Sequence, residues 1–291
     1  MPMMELAAGS LTLGLAPELG GSVAWFRHDG VDLMRPLSGE DHAHGNVLGV
    51  AMFPMMPYAN RVADNCFFFG GREWNVLPNN PPDRLNVHGS AWKSAWSAEP
   101  VRGSAATLSL VHMPPDGPFL YRASQHFALT PDTLEVTLTL ANAGPCAMPF
   151  GFGLHPWFRR HADTRLRFAA SHFFLEGPDG IIGERLATPP ELSFREARRL
   201  PATWRNNDYG GWDGLVEIWL GEPSLRLSIA ADPVFGHLML YADPEKPYFC
   251  LEPQTNAPCA VNHADAEELG AIVLPPGKSL SGSVRFTLGK P

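Results

Sequence analysis

Apolar and polar residues alternate with a period of two along much of this chain. Leu134-Glu135-Val136-Thr137-Leu138-Thr139-Leu140 keeps the alternation unbroken, and Leu108-Ser109-Leu110-Val111 carries a shorter piece of it. A two-residue period puts successive side chains on opposite faces of a strand. Val216-Glu217-Ile218-Trp219-Leu220 and Leu225-Arg226-Leu227-Ser228-Ile229 repeat it on either side of Gly221-Glu222-Pro223-Ser224. That spacing predicts a hairpin. Leu238-Met239-Leu240-Tyr241 and Phe249-Cys250-Leu251 are continuously apolar and predict buried strands. Val284-Arg285-Phe286-Thr287-Leu288 predicts a terminal strand, entered through the turn Pro275-Pro276-Gly277-Lys278. The 3.6-residue helical period is scarce. Ala264-Asp265-Ala266-Glu267-Glu268-Leu269 before Gly270 predicts one short helical turn. Residues 177–201, rich in Pro and Gly and without a period, predict a long surface loop rather than a domain boundary.

Composition sharpens the class. The chain has 291 residues, with 28 Gly and 29 Pro dispersed along it, a load that breaks long helices and suits short strands and tight turns. Apolar residues are 45% and charged residues 18%, which favours a sizeable core over disorder. The expectation is an all-β fold, a large antiparallel β-sandwich formed by residues 1–291 as one domain, with loops converging on a cleft.

Charge and cysteines narrow the partners. The net charge is −8, and the arginine groups Arg159-Arg160 and Arg195, Arg198, Arg199 are too short for a nucleic-acid footprint. Cys66, Cys146, Cys250 and Cys259 form no C-x-x-C pair, so reduced thiols are expected. Met1–Leu6 carries neither a basic nor an apolar leader segment, and no apolar run reaches membrane-spanning length. Together these predict a cytoplasmic protein that binds neither nucleic acid nor membrane.

Three islands of acid–base residues sit among glycine, proline and aromatics: Asn86-Val87-His88-Gly89, Gly153-Leu154-His155-Pro156-Trp157-Phe158 and Leu251-Glu252-Pro253-Gln254-Thr255. His88 follows a loop-like Asn79-Asn80-Pro81-Pro82-Asp83 segment, where a histidine is more often functional than structural. The aromatic faces of Trp157 and Phe158 could stack on sugar C–H surfaces or fill a core. Glu252 abuts the apolar Tyr248-Phe249-Cys250-Leu251, where lost solvation raises a carboxyl toward the range of a general base. Asn60-Arg61 offers a planar guanidinium for paired hydrogen bonds to a substrate oxygen. His42-Ala43-His44 is the one metal-like pair, and nucleotide-binding glycine loops and a G-x-S-x-G elbow are absent.

The order of these islands resembles the aldose 1-epimerase (galactose mutarotase) family. The matching segments are Asn60-Arg61-Val62, then Phe69-Gly70-Gly71, Val87-His88-Gly89, Gly153-Leu154-His155-Pro156-Trp157-Phe158 and Glu252-Pro253-Gln254-Thr255. The resemblance implies a large antiparallel β-sandwich that interconverts α and β anomers of a free hexose, without a cofactor, in galactose-type carbohydrate metabolism. It implies Glu252 as general base, His155 as general acid, His88 as the group that polarises the sugar, and Asn60-Arg61 as substrate contacts. The family's substrate-binding aspartate falls on Asn206, with Asp208 two residues on. The expected partner is a monosaccharide, and the expected assembly a monomer or homodimer. The mechanism expected is a carboxylate and an imidazolium on opposite sides of the sugar ring. Two alternatives stand beside it. One is a 1-epimerase of a hexose 6-phosphate or other anionic sugar, with Arg84 and Arg159-Arg160 as anion contacts. The other is a non-catalytic sugar-binding module.

Overall fold

A computed structural model describes residues 3–221 and 225–289. Two large antiparallel sheets dominate. The first has 11 strands and runs, through its centre, Ser22–His28, Met52–Met55, Gly153–Arg159, Tyr248–Gln254, His237–Ala242, Arg205–Gly210, His172–Glu176 and Ile182–Leu186. The second has nine, with Leu215–Trp219, Arg226–Ala231, Ser279–Gly289, Thr133–Asn142, Tyr121–Leu129 and Ala105–His112 adjacent in that order. One face of each sheet feeds the same apolar cluster: Leu13, Phe26 and Leu154 from the first, Leu108, Leu134 and Leu227 from the second.

The strong alternation found in the sequence belongs to the second sheet. Thr133–Asn142 alternates buried and half-buried residues along its whole length, as a sheet with one face on the core and one toward water must. The predicted hairpin is there, Leu215–Trp219 paired with Arg226–Ala231, although Glu222, Pro223 and Ser224 of its turn lie outside the described residues. The continuously apolar segments lie instead at the centre of the first sheet. Tyr248–Gln254 is buried in all but its first residue. Both faces of these central strands are covered, one by the core and one by loops that close over a pocket.

Two expectations change. The stretch 177–201 is not one long loop: Ile182–Leu186 pairs with His172–Glu176 at the edge of the first sheet, and Arg198–Arg199 pairs with Arg165–Phe168 in the second. Edge pairing demands little apolar periodicity, which is why no pattern marks it. Ala264–Leu269 forms consecutive turns and no helix. The single α-helix among the described residues is Gly39–His44, capped by Ser38 and closed by Gly45 in the left-handed conformation. Ser38-x-x-Asp41 is a capping pattern that marks it in the sequence.

Candidate active site

The site is built on the cross-strand register of the first sheet. In Gly153–Arg159, His155 and Trp157 face the pocket while Leu154 and Phe158 enter the core. Phe158 is therefore a core residue and not a sugar platform. Gly153 pairs with Gln254 and Trp157 with Cys250, so His155 falls directly opposite Glu252 on the neighbouring strand. On its other side His155 pairs with Phe53, and beyond Glu252 the row continues through Met239 to Asp208. Directly opposed side chains stand close enough to touch. His155 Nε2 lies 3.3 Å from Glu252 Oε1.

The two groups expected on opposite sides of a sugar ring thus stand side by side.

Burial sets their protonation. Glu252 is 2% exposed, and burial pushes its carboxyl up to about 8; Arg61 opposes the rise and Asp208 adds to it. Burial, then the Arg35 guanidinium, pushes the His155 imidazole down to about 3. Between those limits the pair holds a single proton, and its titration belongs to both groups. Glu252 Oε2 and His155 Nδ1 are buried with no partner within the protein.

His88 is held by Asn60. Both adopt positive φ, 59° and 63°, which brings their backbones together. The His88 amide donates to the Asn60 carbonyl at 2.7 Å, and the Asn60 amide donates to His88 Nδ1 at 3.1 Å. With Nδ1 accepting, the ring proton sits on Nε2. Burial, His155 and Arg61 together hold His88 well below the ordinary histidine range, so it is a neutral donor. Gly89 makes this turn possible: its φ is +63°, and a Cβ there would stand 2.4 Å from the Met56 carbonyl oxygen.

A cavity of about 280 Å³ gathers these groups. His88, His155, Glu252, Asn60, Arg61, Trp157 and Asn206 all line it. Asp208 does not. Its carboxyl is buried beneath the floor, 2.7 Å from His237 Nδ1 and accepting from Gln254 Nε2 at 3.1 Å. It acts on Glu252 through charge. The Trp157 ring stacks on His155 at 5.1 Å, and Arg35 lies 4.2 Å from its centroid, so the indole braces the imidazole. Its Nε1–H is buried and has no partner within the protein.

Four residues of the site carried no sequence signal. Glu176, Trp204 and Tyr241 also line the cavity, and Arg35 stands behind Trp157. Glu176 accepts from Asn206 Nδ2 at 2.6 Å and from Trp204 Nε1 at 2.8 Å. Conversely, Arg84 is exposed and ion-paired with Asp179 at 2.6 Å, and neither it nor Arg159 lines the cavity.

Ligand atoms of His155, Cys250 and Glu252 lie within 4.8 Å of one another. Burial holds the Cys250 thiol well above its usual range, and Arg35 adds positive charge beside it and His155. His42 and His44 join no cluster of three ligands among the described residues. A larger groove of about 430 Å³ on the second sheet is lined by Arg167, Arg195, Asp213 and Glu217, and Glu217 is already paired with Arg167 and Arg226.

The fold is thus a two-sheet β architecture with a buried histidine–carboxyl pair at the floor of a polar cavity. The chain belongs to the aldose 1-epimerase family, whose model matches residues 3–287. It is 34% identical over 292 residues to the uncharacterized protein YphB of Escherichia coli (strain K12), covering 98% of each chain. A crystal structure of a candidate aldose 1-epimerase from Escherichia coli K12 superposes with a TM-score of 0.92 at 32% identity, covering 100% of this chain and 99% of that one. The galactose 1-epimerase of Lactobacillus acidophilus NCFM shares the fold, with a TM-score of 0.82 at 16% identity over 99% of this chain and 94% of that one.

Proposed function

We propose that this protein is an aldose 1-epimerase that interconverts the α and β anomers of a monosaccharide by general acid–base ring opening and closure. The observation that carries the reading is the 3.3 Å contact of His155 Nε2 with Glu252 Oε1 on the floor of the cavity.

One proton is what the reaction requires of the pair. The working tautomer carries it on His155 Nε2 and leaves Glu252 as carboxylate. Glu252 takes the proton of the C1 hydroxyl, and the C1–O bond becomes a carbonyl as the C1–O5 bond breaks. His155 donates its proton to O5. The pair again holds one proton, now on Glu252. Rotation about C1–C2 turns the other carbonyl face to O5. Closure then runs the transfers backwards: His155 takes the O5 proton and Glu252 returns one to the new C1 oxygen. No atom is gained or lost. His88, a neutral donor through Nε2–H, hydrogen-bonds a sugar oxygen without competing for this proton, and Arg61 is the one arginine or lysine among the described residues of the cavity lining.

Polarimetry or exchange NMR on freshly dissolved α-aldoses tests the reading. Faster approach to anomeric equilibrium than in buffer is expected. A panel of aldoses that all equilibrate at the buffer rate overturns it.

A further inference from the structure

Resting on that reading, we infer that Glu176 is the hydroxyl acceptor at the end of the cavity remote from the acid–base pair, and that the cavity is thereby built for an uncharged aldose.

Glu176 ends the strand His172–Glu176, which lies three strands from the strand of Glu252 in the sheet order. At the usual strand spacing the two backbones stand roughly 14 Å apart. Both side chains nevertheless line one cavity of about 280 Å³, so a single small ring spans the space between them. At the position where the resemblance leads one to expect an aspartate, Asn206 offers only an amide. Its Nδ2 donates to Glu176 Oε1 at 2.6 Å. Trp204 Nε1 donates to the other oxygen at 2.8 Å, and the Trp204 ring stands edge-on to Tyr241 at 5.3 Å and 87°. The negative charge missing from Asn206 is thus supplied by a neighbouring strand and fixed by two donors. Each carboxylate oxygen keeps a further lone pair for a sugar hydroxyl.

Charge gives the selectivity. Among the described residues of the lining, His88 is neutral and His155 shares one proton with Glu252, which leaves Arg61 as cation against the carboxylates of Asp83 and Glu176. Arg84, the nearest cation proposed for a phosphate, is committed to Asp179. A phosphate or carboxylate on the far carbon of the sugar would meet Glu176 with like charge.

The test compares wild type with Glu176→Ala, Glu176→Gln and Trp204→Phe by exchange NMR on glucose, galactose, glucose 6-phosphate and a uronic acid. Expected is a KM for the preferred neutral aldose raised about 10–100-fold in Glu176→Ala, the loss from one hydrogen bond to a charged group, with kcat little changed. Trp204→Phe raises KM less. Glu176→Gln narrows the preference of wild type for neutral over anionic sugars. An unchanged KM in Glu176→Ala, or wild-type preference for the phosphorylated sugar, overturns the inference. Saturation-transfer NMR of neutral sugar binding to wild type and Glu176→Ala separates the two claims. If wild type binds sugar but accelerates no exchange, the catalytic reading fails, and weaker binding by Glu176→Ala still supports the acceptor.

Discussion

Asn60 and His88 hold each other through two backbone amides, one donating to a carbonyl and one to the imidazole Nδ1. This clasp fixes the tautomer of a buried histidine before any sugar arrives. The ¹⁵N shifts of His88 should report an unprotonated Nδ1 and a protonated Nε2 across about pH 5 to 8, with no titration at the usual histidine value near 6.5. A His88 that titrates near that value would contradict its role as a neutral donor.

Replacing Glu252 by Gln removes the proposed proton acceptor while keeping its volume. Exchange rates should fall by about 10²–10⁴-fold, with secondary structure unchanged by circular dichroism. His155→Gln should lose a similar factor. Near-wild-type rates in both variants would remove the acid–base pair from the mechanism.

The pH profile should be governed by the shared proton. Activity falls as Glu252 and His155 lose it above about 8. Asp208 raises the Glu252 value and Arg61 lowers it, so Asp208→Asn should move the alkaline limb to lower pH. Arg61→Gln should move it higher. Shifts in the same direction for both variants would show that charge does not act as described.

Stability should follow the same group with a definite sign. Glu252 is raised from 4.5 in an ordinary environment to about 8 in the fold, so between these values the folded state holds a proton that the unfolded chain has released. Stability therefore declines as pH rises through that window, and Glu252→Gln removes the penalty. In urea titrations the variant should gain on wild type by a few kcal/mol at most between about pH 5 and 8. A constant difference would place the carboxyl outside the buried, uncharged state.

Gly89→Ala tests the turn that carries His88. Positive φ and a 2.4 Å approach to the Met56 carbonyl oxygen leave no room for a methyl group. A loss of about 1–3 kcal/mol in unfolding free energy is expected, together with weakened catalysis. Unchanged stability would mean that the turn relaxes freely.

What was readable in the sequence follows from physical range. The alternation over Leu134–Leu140 marks a strand because every second side chain meets the core, and the structure places it in Thr133–Asn142. His88, His155 and Glu252 stood out because each sits in a short island of turn-forming or apolar residues. Their meeting depends on register between strands distant in the chain, which no local pattern encodes. Asp208 was expected to contact the sugar, yet it lies beneath the floor with His237 and Gln254, because one two-residue step along Arg205–Gly210 separates the wall from the interior. Glu176 could not be found, since its partners Asn206 and Trp204 lie about thirty positions away and its own strand, one in from the sheet edge, carries no alternating pattern.

His155 is flanked by Phe53, 4.4 Å away and nearly parallel, and by Trp157, 5.1 Å away and nearly parallel. An imidazole so confined cannot swing to follow a moving oxygen. On the proposed mechanism the sugar must keep its ring oxygen at one spot while the C1 oxygen changes sides. Both anomers then occupy the same berth, and opening and closure run through one fixed arrangement of the pair.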